Sequence, residues 1–243
     1  MQLYKGDCLE IMPSIPDKSI DMILCDLPYG TTQNKADKRL PFAPLWKQYK
    51  RIIKDNGCIV LFAQGEFYID LVQSNRKWFR YDLVWDKVLT TGFLNAKRMP
   101  LRRHEQIVVF YKKLPTYNPQ FTQGKPLHGK GTAYKGKELK NNNYGKFNAL
   151  EDTRKGTTEK YPTSILQFAK SHPSVAKHIT EKPIALLECL IKTYTNESET
   201  VLDNCMGSGS TGIACVNTNR NFIGIELDDK NFENARERIG GAR

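Results

Sequence analysis

The stretch that most constrains the fold is a short apolar run that stops abruptly at Asp26-Leu27-Pro28-Tyr29-Gly30. The residues just before it, 22–25, are all apolar, which is typical of a buried strand. Pro28 cannot donate to a sheet ladder, so the strand must end before it. Asp26 is therefore predicted at the carboxyl end of a central strand, where open α/β sheets place their ligands.

An acid, a carbonyl that no ladder uses and an aromatic ring follow one another in this stretch. The Asp26 carboxylate and the Leu27 carbonyl can each accept one hydrogen of an exocyclic amine, and the Tyr29 ring can stack on a planar heterocycle. Gly30 leaves room for another group to approach closely. An ordinary strand followed by a Pro-Gly turn explains the same residues, and the stretch alone does not decide between the two interpretations.

A second strand, turn and helix are predicted at residues 201–212. Gly207 and Gly209 mark a turn whose backbone N–H groups can approach a ligand. A further strand at residues 222–226 ends in an acid. Glu226 follows Gly207 by about the distance at which a ribose-binding carboxylate follows the Gly-rich turn of nucleotide-binding folds.

Five stretches occur in an order that matches a known family. They are residues 6–8, 26–29, 103–110, 178–183 and 203–211. Together they resemble the S-adenosylmethionine-dependent DNA amino-methyltransferases of the N6-adenine and N4-cytosine type, in the permuted (beta) arrangement. Leu27 replaces the first proline of that family's Asp-Pro-Pro-Tyr motif, and Asn204 and Ser210 replace a proline and a threonine of its cofactor loop.

The resemblance implies a circularly permuted, Rossmann-like α/β fold with a seven-stranded mixed sheet, the class I methyltransferase fold. Seven strand candidates lie near residues 3, 23, 60, 83, 108, 202 and 224. The family's order makes the strand near residue 108 antiparallel to both neighbours. The implied domains are residues 1–113 (catalytic half), 114–177 (basic target-recognition insert) and 178–243 (the S-adenosylmethionine-binding half of the same domain).

The resemblance also implies the site residues. The catalytic residues are expected to be Asp26, Leu27, Pro28 and Tyr29. The cofactor-binding residues are expected to be Asp7, Cys8, Lys182, Asp203, Met206, Gly207, Ser208, Gly209, Ser210, Thr211, Glu226 and Leu227.

Individual roles follow for some of these residues. Asp7 is assigned to the adenine of the cofactor, Glu226 to its ribose and Asp203 to its methionine part. Asp7 could instead cap the helix that follows, or do both. Lys182 could simply pair with the neighbouring Glu181.

Charge and cysteine content narrow the function classes. The 243 residues carry a formal net charge of +11, which points to a polyanion, most simply nucleic acid or a membrane surface. The resemblance implies that this partner is double-stranded DNA. No apolar run approaches the roughly 18 residues of a membrane span, and the first residues lack the apolar stretch of a secretory signal, so a cytoplasmic protein is expected. The six cysteines show no Cys-x-x-Cys spacing, so no metal site is predicted. No Pro-Cys pair supplies the thiolate of a base C5 methyltransferase.

Two basic regions are candidates for the DNA contact. Residues 87–103 are interpreted as a basic loop between strands that either grips phosphates or is merely solvated. Residues 112–177 contain 12 lysines and one arginine against three glutamates and one aspartate. Aromatic residues are interleaved with these charges, as nucleic-acid surfaces require. A flexible, solubilising insert is the alternative.

The preferred hypothesis is transfer of a methyl group to adenine N6, because the catalytic stretch begins with Asp rather than Ser. Cytosine N4 is the alternative within the class. A non-catalytic nucleic-acid-binding protein with the same fold, and methylation of RNA or of a protein glutamine amide, are the alternatives outside it. The sequence does not determine which DNA site is recognised, whether the protein forms a homodimer, or whether a cognate restriction endonuclease exists.

The insert yields a first test. If Lys125, Lys130, Lys135, Lys137 and Lys140 neutralise phosphates, each contact adds about −0.9 to the slope of log affinity against log salt. We expect replacement of these lysines by Gln to flatten that slope, measured by DNA binding over a salt series, while cofactor affinity is unchanged. An unchanged slope would support the solvated insert.

Overall fold

The computed structural model describes residues 1–31, 37–126, 138–141, 145–148, 156–170 and 181–242, with the backbone alone for 138–141 and 145–148. The chain forms two compact units, Met1–Asn118 with Thr163–Arg243, and Pro119–Pro162. Parts of the predicted loop at 31–40, of the insert and of the motif at 178–183 lie outside the described residues. None of the described helices is long and apolar enough to cross a membrane.

Twelve strands and six helices are described. The strands are β1 (Gln2–Lys5), β2 (Ile20–Cys25), β3 (Ile53–Ala63), β4 (Phe79–Thr91), β5 (Arg102–Phe110), β6 (Thr122–Gln123), β7 (Glu138–Asn141), β8 (Gly145–Asn148), β9 (Glu159–Lys160), β10 (Ile165–Gln167), β11 (Thr200–Asp203) and β12 (Asn221–Glu226). The helices are α1 (Cys8–Ile11), α2 (Phe42–Ile52), α3 (Gly65–Ser74), α4 (Ile184–Tyr194), α5 (Ser210–Asn217) and α6 (Asp229–Gly241).

The larger unit is organised on one mixed sheet with the strand order β1-β12-β11-β2-β3-β5-β4-β10. Its strands are parallel except that β5 is antiparallel to both β3 and β4. The expected antiparallel strand near residue 108 is thereby confirmed. The chain crosses between the two halves of the sheet, because β11 pairs with β2, and β1 pairs with β12.

Both faces of the sheet are covered, which is why its central strands are apolar throughout. On one face Ile23 and Ile59 pack with buried side chains of α2 and α3. On the other face Met22 and Val60 pack with buried side chains of α4, α5 and α6. Side chains along β2 therefore alternate between the two faces, so that one strand contributes to both hydrophobic cores. Each buried aliphatic side chain stabilises the fold by about 1.5–3 kcal/mol.

The sheet differs from the sequence prediction in two details. It has eight strands rather than seven, because Ile165–Gln167 pairs with β4 at one edge. This three-residue strand has too few residues to show a period, so the sequence did not indicate it. The second difference is length, since β4 continues to Thr91 and includes residues that were interpreted as part of the basic loop.

The smaller unit contains the two short antiparallel pairs. Thr122–Gln123 pairs with Glu159–Lys160, and Glu138–Asn141 pairs with Gly145–Asn148. The rings of Phe121 and Tyr161 are in contact, with centroids 4.9 Å apart. The unit therefore has regular local structure inside the segment predicted to recognise the target.

A buried aspartate closes the connection between β11 and α5. Asp203 is only 4% exposed. Its Oδ2 accepts a hydrogen bond from the Thr211 hydroxyl at 2.7 Å, and its Oδ1 accepts one from the Cys205 N–H at 3.1 Å. Burial raises the pKa of Asp203 to about 6, since desolvation outweighs these hydrogen bonds.

This shift predicts a pH-dependent stability. The folded-state pKa lies above the unfolded value of about 3.9, so the Asp203 contribution is complete below about pH 4 and is lost as pH rises through about 6. The loss is on the order of 3 kcal/mol. We expect the unfolding free energy of wild type minus that of Asp203→Asn, measured in denaturant, to fall over this range. A difference that does not vary with pH would contradict the shift.

Candidate active site

The polar residues of the site meet at one edge of the sheet because the strands that carry them are parallel. Asp7, Asp26, Asp203 and Glu226 each stand at or just after the carboxyl end of β1, β2, β11 or β12. The Gly6 N–H donates to the Glu226 carbonyl at 2.9 Å and ties two of these ends together. Residues nearly the whole chain apart are thus brought to one surface.

The Asp26 carboxylate has a donor on each oxygen. Oδ1 accepts from the Tyr29 hydroxyl at 2.9 Å, and Oδ2 accepts from Lys182 Nζ at 2.5 Å. The side chain remains 32% exposed. Leu27 is buried, and no described residue donates to its carbonyl. A partly open carboxylate and an unused carbonyl therefore stand next to each other.

The Tyr29 ring packs against a second aromatic ring. It stacks on Phe67 of α3 with centroids 4.9 Å apart and an interplanar angle of 24°, so one face of the ring is already covered. Burial and the charge of Asp26 raise the pKa of Tyr29, which keeps the hydroxyl a hydrogen-bond donor. Phe67 was not singled out from the sequence, where it is one of several apolar residues of a helix.

Arg39 fixes the backbone that follows. Its Nε donates to the Tyr29 carbonyl at 2.6 Å and its Nη1 pairs with Asp70 at 2.7 Å. Gly30 has a φ of +66°, and a Cβ there would lie 2.7 Å from the Arg39 side chain. A larger residue at position 30 would therefore clash with the Arg39 side chain. The role of Arg39 could not be derived from the sequence, because its contact with Tyr29 forms only when the chain between them folds back.

Lys182 lies against the catalytic stretch. Its Nζ is 2.5 Å from Asp26 Oδ2 and 3.4 Å from Glu105 Oε2. It also lies over the ring of Phe62, 4.9 Å from the centroid. Burial lowers the pKa of Lys182, but the charges of Asp26 and Glu105 outweigh burial and hold it above its ordinary value. The suggested pairing with Glu181 is wrong, because Glu181 pairs with Arg238.

Glu105 is the second acid of this cluster. It stands near the start of β5, and its Oε1 accepts from Lys87 Nζ at 3.2 Å. The Lys87 side chain is only 3% exposed. Burial raises the pKa of Glu105, but Lys182 and Lys87 together hold it below its ordinary value. One sequence signal could have identified this residue, because it is a lone acid that enters an apolar strand.

The glycine turn after β11 is organised by Glu226. Its Oε2 accepts from the Gly207 N–H at 2.8 Å, and its Oε1 accepts from the Asp228 N–H at 2.8 Å. Met206 is buried and its N–H donates to the Ile225 carbonyl at 3.0 Å. The predicted cofactor turn and the predicted ribose acid are therefore in direct contact.

The hydroxyl groups of the turn point inward. The Ser210 hydroxyl donates to Glu181 at 2.9 Å and the Thr211 hydroxyl donates to Asp203 at 2.7 Å. Ser208 is buried and its carbonyl accepts from Arg238 at 2.7 Å. Gly209 begins α5, where a Cβ would lie 2.9 Å from Ala235. These four residues shape the turn, whereas Leu227 is 68% exposed beyond it.

The amino-terminal stretch contributes a cap and a thiol. Asp7 Oδ1 accepts from the Leu9 N–H at 2.8 Å and caps α1, so the structural role considered for it is present. Asn204 Nδ2 lies 3.5 Å from Cys8 Sγ and from Cys205 Sγ, and its Oδ1 accepts from the Tyr49 hydroxyl at 2.5 Å. Asn204, which replaces a proline of the resembling family, therefore joins three chain segments.

All six cysteines are free thiols. Burial raises the pKa of Cys25, which precedes Asp26, to about 12. Cys8 and Cys205 are in contact, and their pKa values are also raised. Raised pKa values favour the protonated thiol, which is a poor nucleophile. The described residues contain no group of three or more His, Cys, Asp or Glu side chains placed to hold a metal ion.

The basic loop is shorter than the sequence suggested. Lys87 lies inside β4, and Arg103 lies in β5 and pairs with Asp86 at 2.6 and 2.9 Å, so both are used within the fold. The connection between the strands is limited to residues 92–101. Phe93 and Leu94 at its tip are 80% and 97% exposed.

A family model described as DNA methylase, the N6/N4 methyltransferase family, matches residues 20–237. The type II methyltransferase M.HpaI of Haemophilus parainfluenzae is 26% identical over 98% of this chain and 74% of its own length. The putative methylase YubD of Escherichia coli K12 is 26% identical over 100% of this chain and 91% of its own length.

Solved structures give the same result. M1.HpyAVI in complex with SAM has a TM-score of 0.64 and 25% identity, over 98% of both chains. The cytosine-N4-specific PvuII DNA methyltransferase has a TM-score of 0.66 and 16% identity, over 99% of this chain and 90% of that one, and supports the fold alone. The expected class I methyltransferase fold is confirmed, and the chain belongs to the N6/N4 family of DNA methylases.

Proposed function

We propose that this DNA methyltransferase transfers the methyl group of S-adenosylmethionine to the exocyclic N6 of an adenine in double-stranded DNA. The observation that carries the proposal is the position of Asp26. Its partly open carboxylate stands beside the unused Leu27 carbonyl, at the sheet edge that also carries Gly207 and Glu226. We also propose that it acts in the cytoplasm, where bacterial relatives of this kind meet their DNA.

The turn at Gly207 fits the proposed cofactor. Gly207 has a φ of +51°, and a Cβ there would meet nothing within 4 Å, so the space above the turn is open. Glu226, which accepts from the Gly207 N–H, is assigned to the ribose hydroxyls, and Asp7, just after the adjacent strand β1, is assigned to the adenine. The cofactor supplies an electrophilic methyl group on its sulfonium. Asp203 is buried under the turn and supports it, close to the place assigned to the methionine part.

The residues of the catalytic stretch act on the amine. The exocyclic nitrogen of a base is a poor nucleophile because its lone pair is conjugated with the ring. Acceptors at Asp26 Oδ and at the Leu27 carbonyl favour a pyramidal nitrogen and free the lone pair for in-line attack from about 3 Å. Pro28 restricts the backbone that follows these two acceptors.

DNA must present the base outside the duplex. A base cannot be reached inside the stack, so it is flipped out and packs on the face of Tyr29 that Phe67 does not cover. The exposed tip of residues 92–101 carries Lys97 and Arg98 beside Phe93 and Leu94, a composition suited to a phosphate and base contact. We assign target recognition to the basic insert at residues 114–177.

Adenine is preferred because the stretch begins with an aspartate and because a purine offers a larger surface for stacking. Cytosine N4 is the second candidate, since the PvuII enzyme, which is similar in fold, is specific for that position. Both amines can donate to a carboxylate, so the product decides between them.

The cofactor assignment predicts a selective loss of affinity. Glu226→Ala removes charge-assisted hydrogen bonds, each worth about 1.5–3 kcal/mol, and should weaken S-adenosylmethionine binding about ten- to a hundredfold by calorimetry. The substitution also removes the hydrogen bonds that Glu226 accepts from the Gly207 and Asp228 N–H groups. Asp228→Ala is a matched control, since it removes the cap of α6 at about 1 kcal/mol and should leave affinity unchanged. Equal affinity in both variants and wild type would remove Glu226 from the site.

The product tests the activity and the base together. Wild type incubated with DNA and methyl-labelled cofactor, followed by digestion to nucleosides, should yield label in N6-methyladenine. Asp26→Ala should yield none while it binds cofactor and DNA, because Asp26 acts on the amine in the transition state. Label in N4-methylcytosine would overturn the adenine assignment, and full activity of Asp26→Ala would overturn the mechanism.

A further inference from the structure

Both oxygens of Asp26 carry a donor before any base is present. Tyr29 donates to Oδ1, and the ammonium of Lys182 lies 2.5 Å from Oδ2. If Asp26 accepts a hydrogen of the target amine, as the proposed function requires, the amine competes with Lys182. An ammonium held against the carboxylate also cancels the negative charge that should stabilise a nitrogen becoming positive. The structure must therefore provide another place for Lys182.

Glu105 offers that place. Its Oε2 is buried and accepts no hydrogen bond from any described residue, although a buried acceptor is rarely left without a donor. It lies 3.4 Å from Lys182 Nζ, so a shift of about 0.5 Å would bring the pair within ordinary hydrogen-bond range. The Glu105 side chain is 14% exposed, which leaves water little access to its oxygens.

The other contacts hold this arrangement in place. Lys87 binds the opposite oxygen of Glu105, Oε1, at 3.2 Å and fixes the orientation of the carboxylate. Phe62 and Trp85 lie under the Lys182 ammonium, 4.9 and 5.9 Å from its Nζ, and favour a cation at either position. Lys182 precedes Pro183, the N-cap of α4, so its backbone is held by the start of the helix while its long side chain can move.

We propose that Glu105 is a positioning residue that receives the Lys182 ammonium when the target base enters, and so releases Asp26 Oδ2 to the amine. Glu105 touches neither base nor cofactor and acts through Lys182. No covalent step is involved, since the ammonium stays protonated and changes partner. The inference rests on the proposed transfer to an exocyclic amine.

The test compares three variants by their single-turnover rate of methyl transfer at saturating cofactor. Glu105→Gln cannot receive the ammonium as a charged pair, so Lys182 stays on Asp26 and the rate should fall at least about tenfold, the equivalent of one charge-assisted hydrogen bond. The double variant Glu105→Gln with Lys182→Met removes the competing ammonium as well, and should recover to within about threefold of wild type. Lys87→Met is the matched control, because it removes the other buried partner of Glu105 without contacting Asp26. It leaves Glu105 charged and able to receive the ammonium, so it should lose clearly less of the rate than Glu105→Gln.

Further measurements separate positioning from folding. Cofactor affinity by calorimetry should be the same in wild type, Glu105→Gln, Glu105→Asp and Lys87→Met, all of which keep Lys182. Glu105→Asp keeps the charge and should keep most of the rate even if Glu105→Gln is poorly folded. A double variant that is no faster than Glu105→Gln, or a loss in Lys87→Met as large as in Glu105→Gln, would overturn the inference. Wild type without transfer to DNA would instead overturn the proposed function.

Discussion

The parallel pairing of β11 with β2 is the contact on which the rest of the structure depends. It sets Val201 beside Met22 and Leu202 beside Ile23, and so brings Asp203 and Asp26 to the same edge although they are 177 positions apart in the chain. Without this pair the sheet would be two separate halves, one with the glycine turn and one with the catalytic stretch. The residues paired between the two strands are apolar and buried, so hydrophobic burial is the main contribution that aligns the site.

Polar contacts then adjust the geometry that burial sets. The Glu226 carboxylate links the glycine turn to the start of α6, Asp203 closes β11 onto α5, and Arg39 anchors the carbonyl of Tyr29. The carboxylates of Glu226 and Asp203 each accept hydrogen bonds from backbone or side-chain donors, close to the positions where these residues were predicted to act. The residues assigned to ligands therefore also hold their own loops, which is why the control variants described above are needed.

The sequence was sufficient wherever a local pattern reports on burial. The strands around residues 22–25, 201–203 and 222–226, and the amphipathic α4, followed from apolar runs. The reversed direction of β5 came from the family resemblance, because periodicity carries no information on strand order. The edge strand Ile165–Gln167 was missed because it is short and lies in a segment without a period.

The charged cluster shows why the rest could not be predicted. Lys182 was predicted to bind the cofactor, with a pairing to its neighbour Glu181 as the alternative. Its partner in the structure is Asp26, 156 positions away, and only tertiary structure decides between such acids. Lys87 was placed in a basic loop that either grips phosphates or is solvated. It lies instead in β4 and meets Glu105, although lysine is rarely buried. Buried charges that neutralise one another leave no signature in a hydrophobicity pattern.

The pairing of β1 with β12 has a consequence for how the chain folds. Gln2 lies beside Ile223, so the first strand cannot join the sheet until almost the last one has been made. Contacts of such long sequence separation slow folding and leave apolar strands unpaired and exposed during synthesis. A ribosome-bound chain that lacks β11 and β12 has Asp26 but no turn for the cofactor, so methyl transfer arises only in a single late step of assembly. A chain terminated before β11 therefore lacks the cofactor turn altogether.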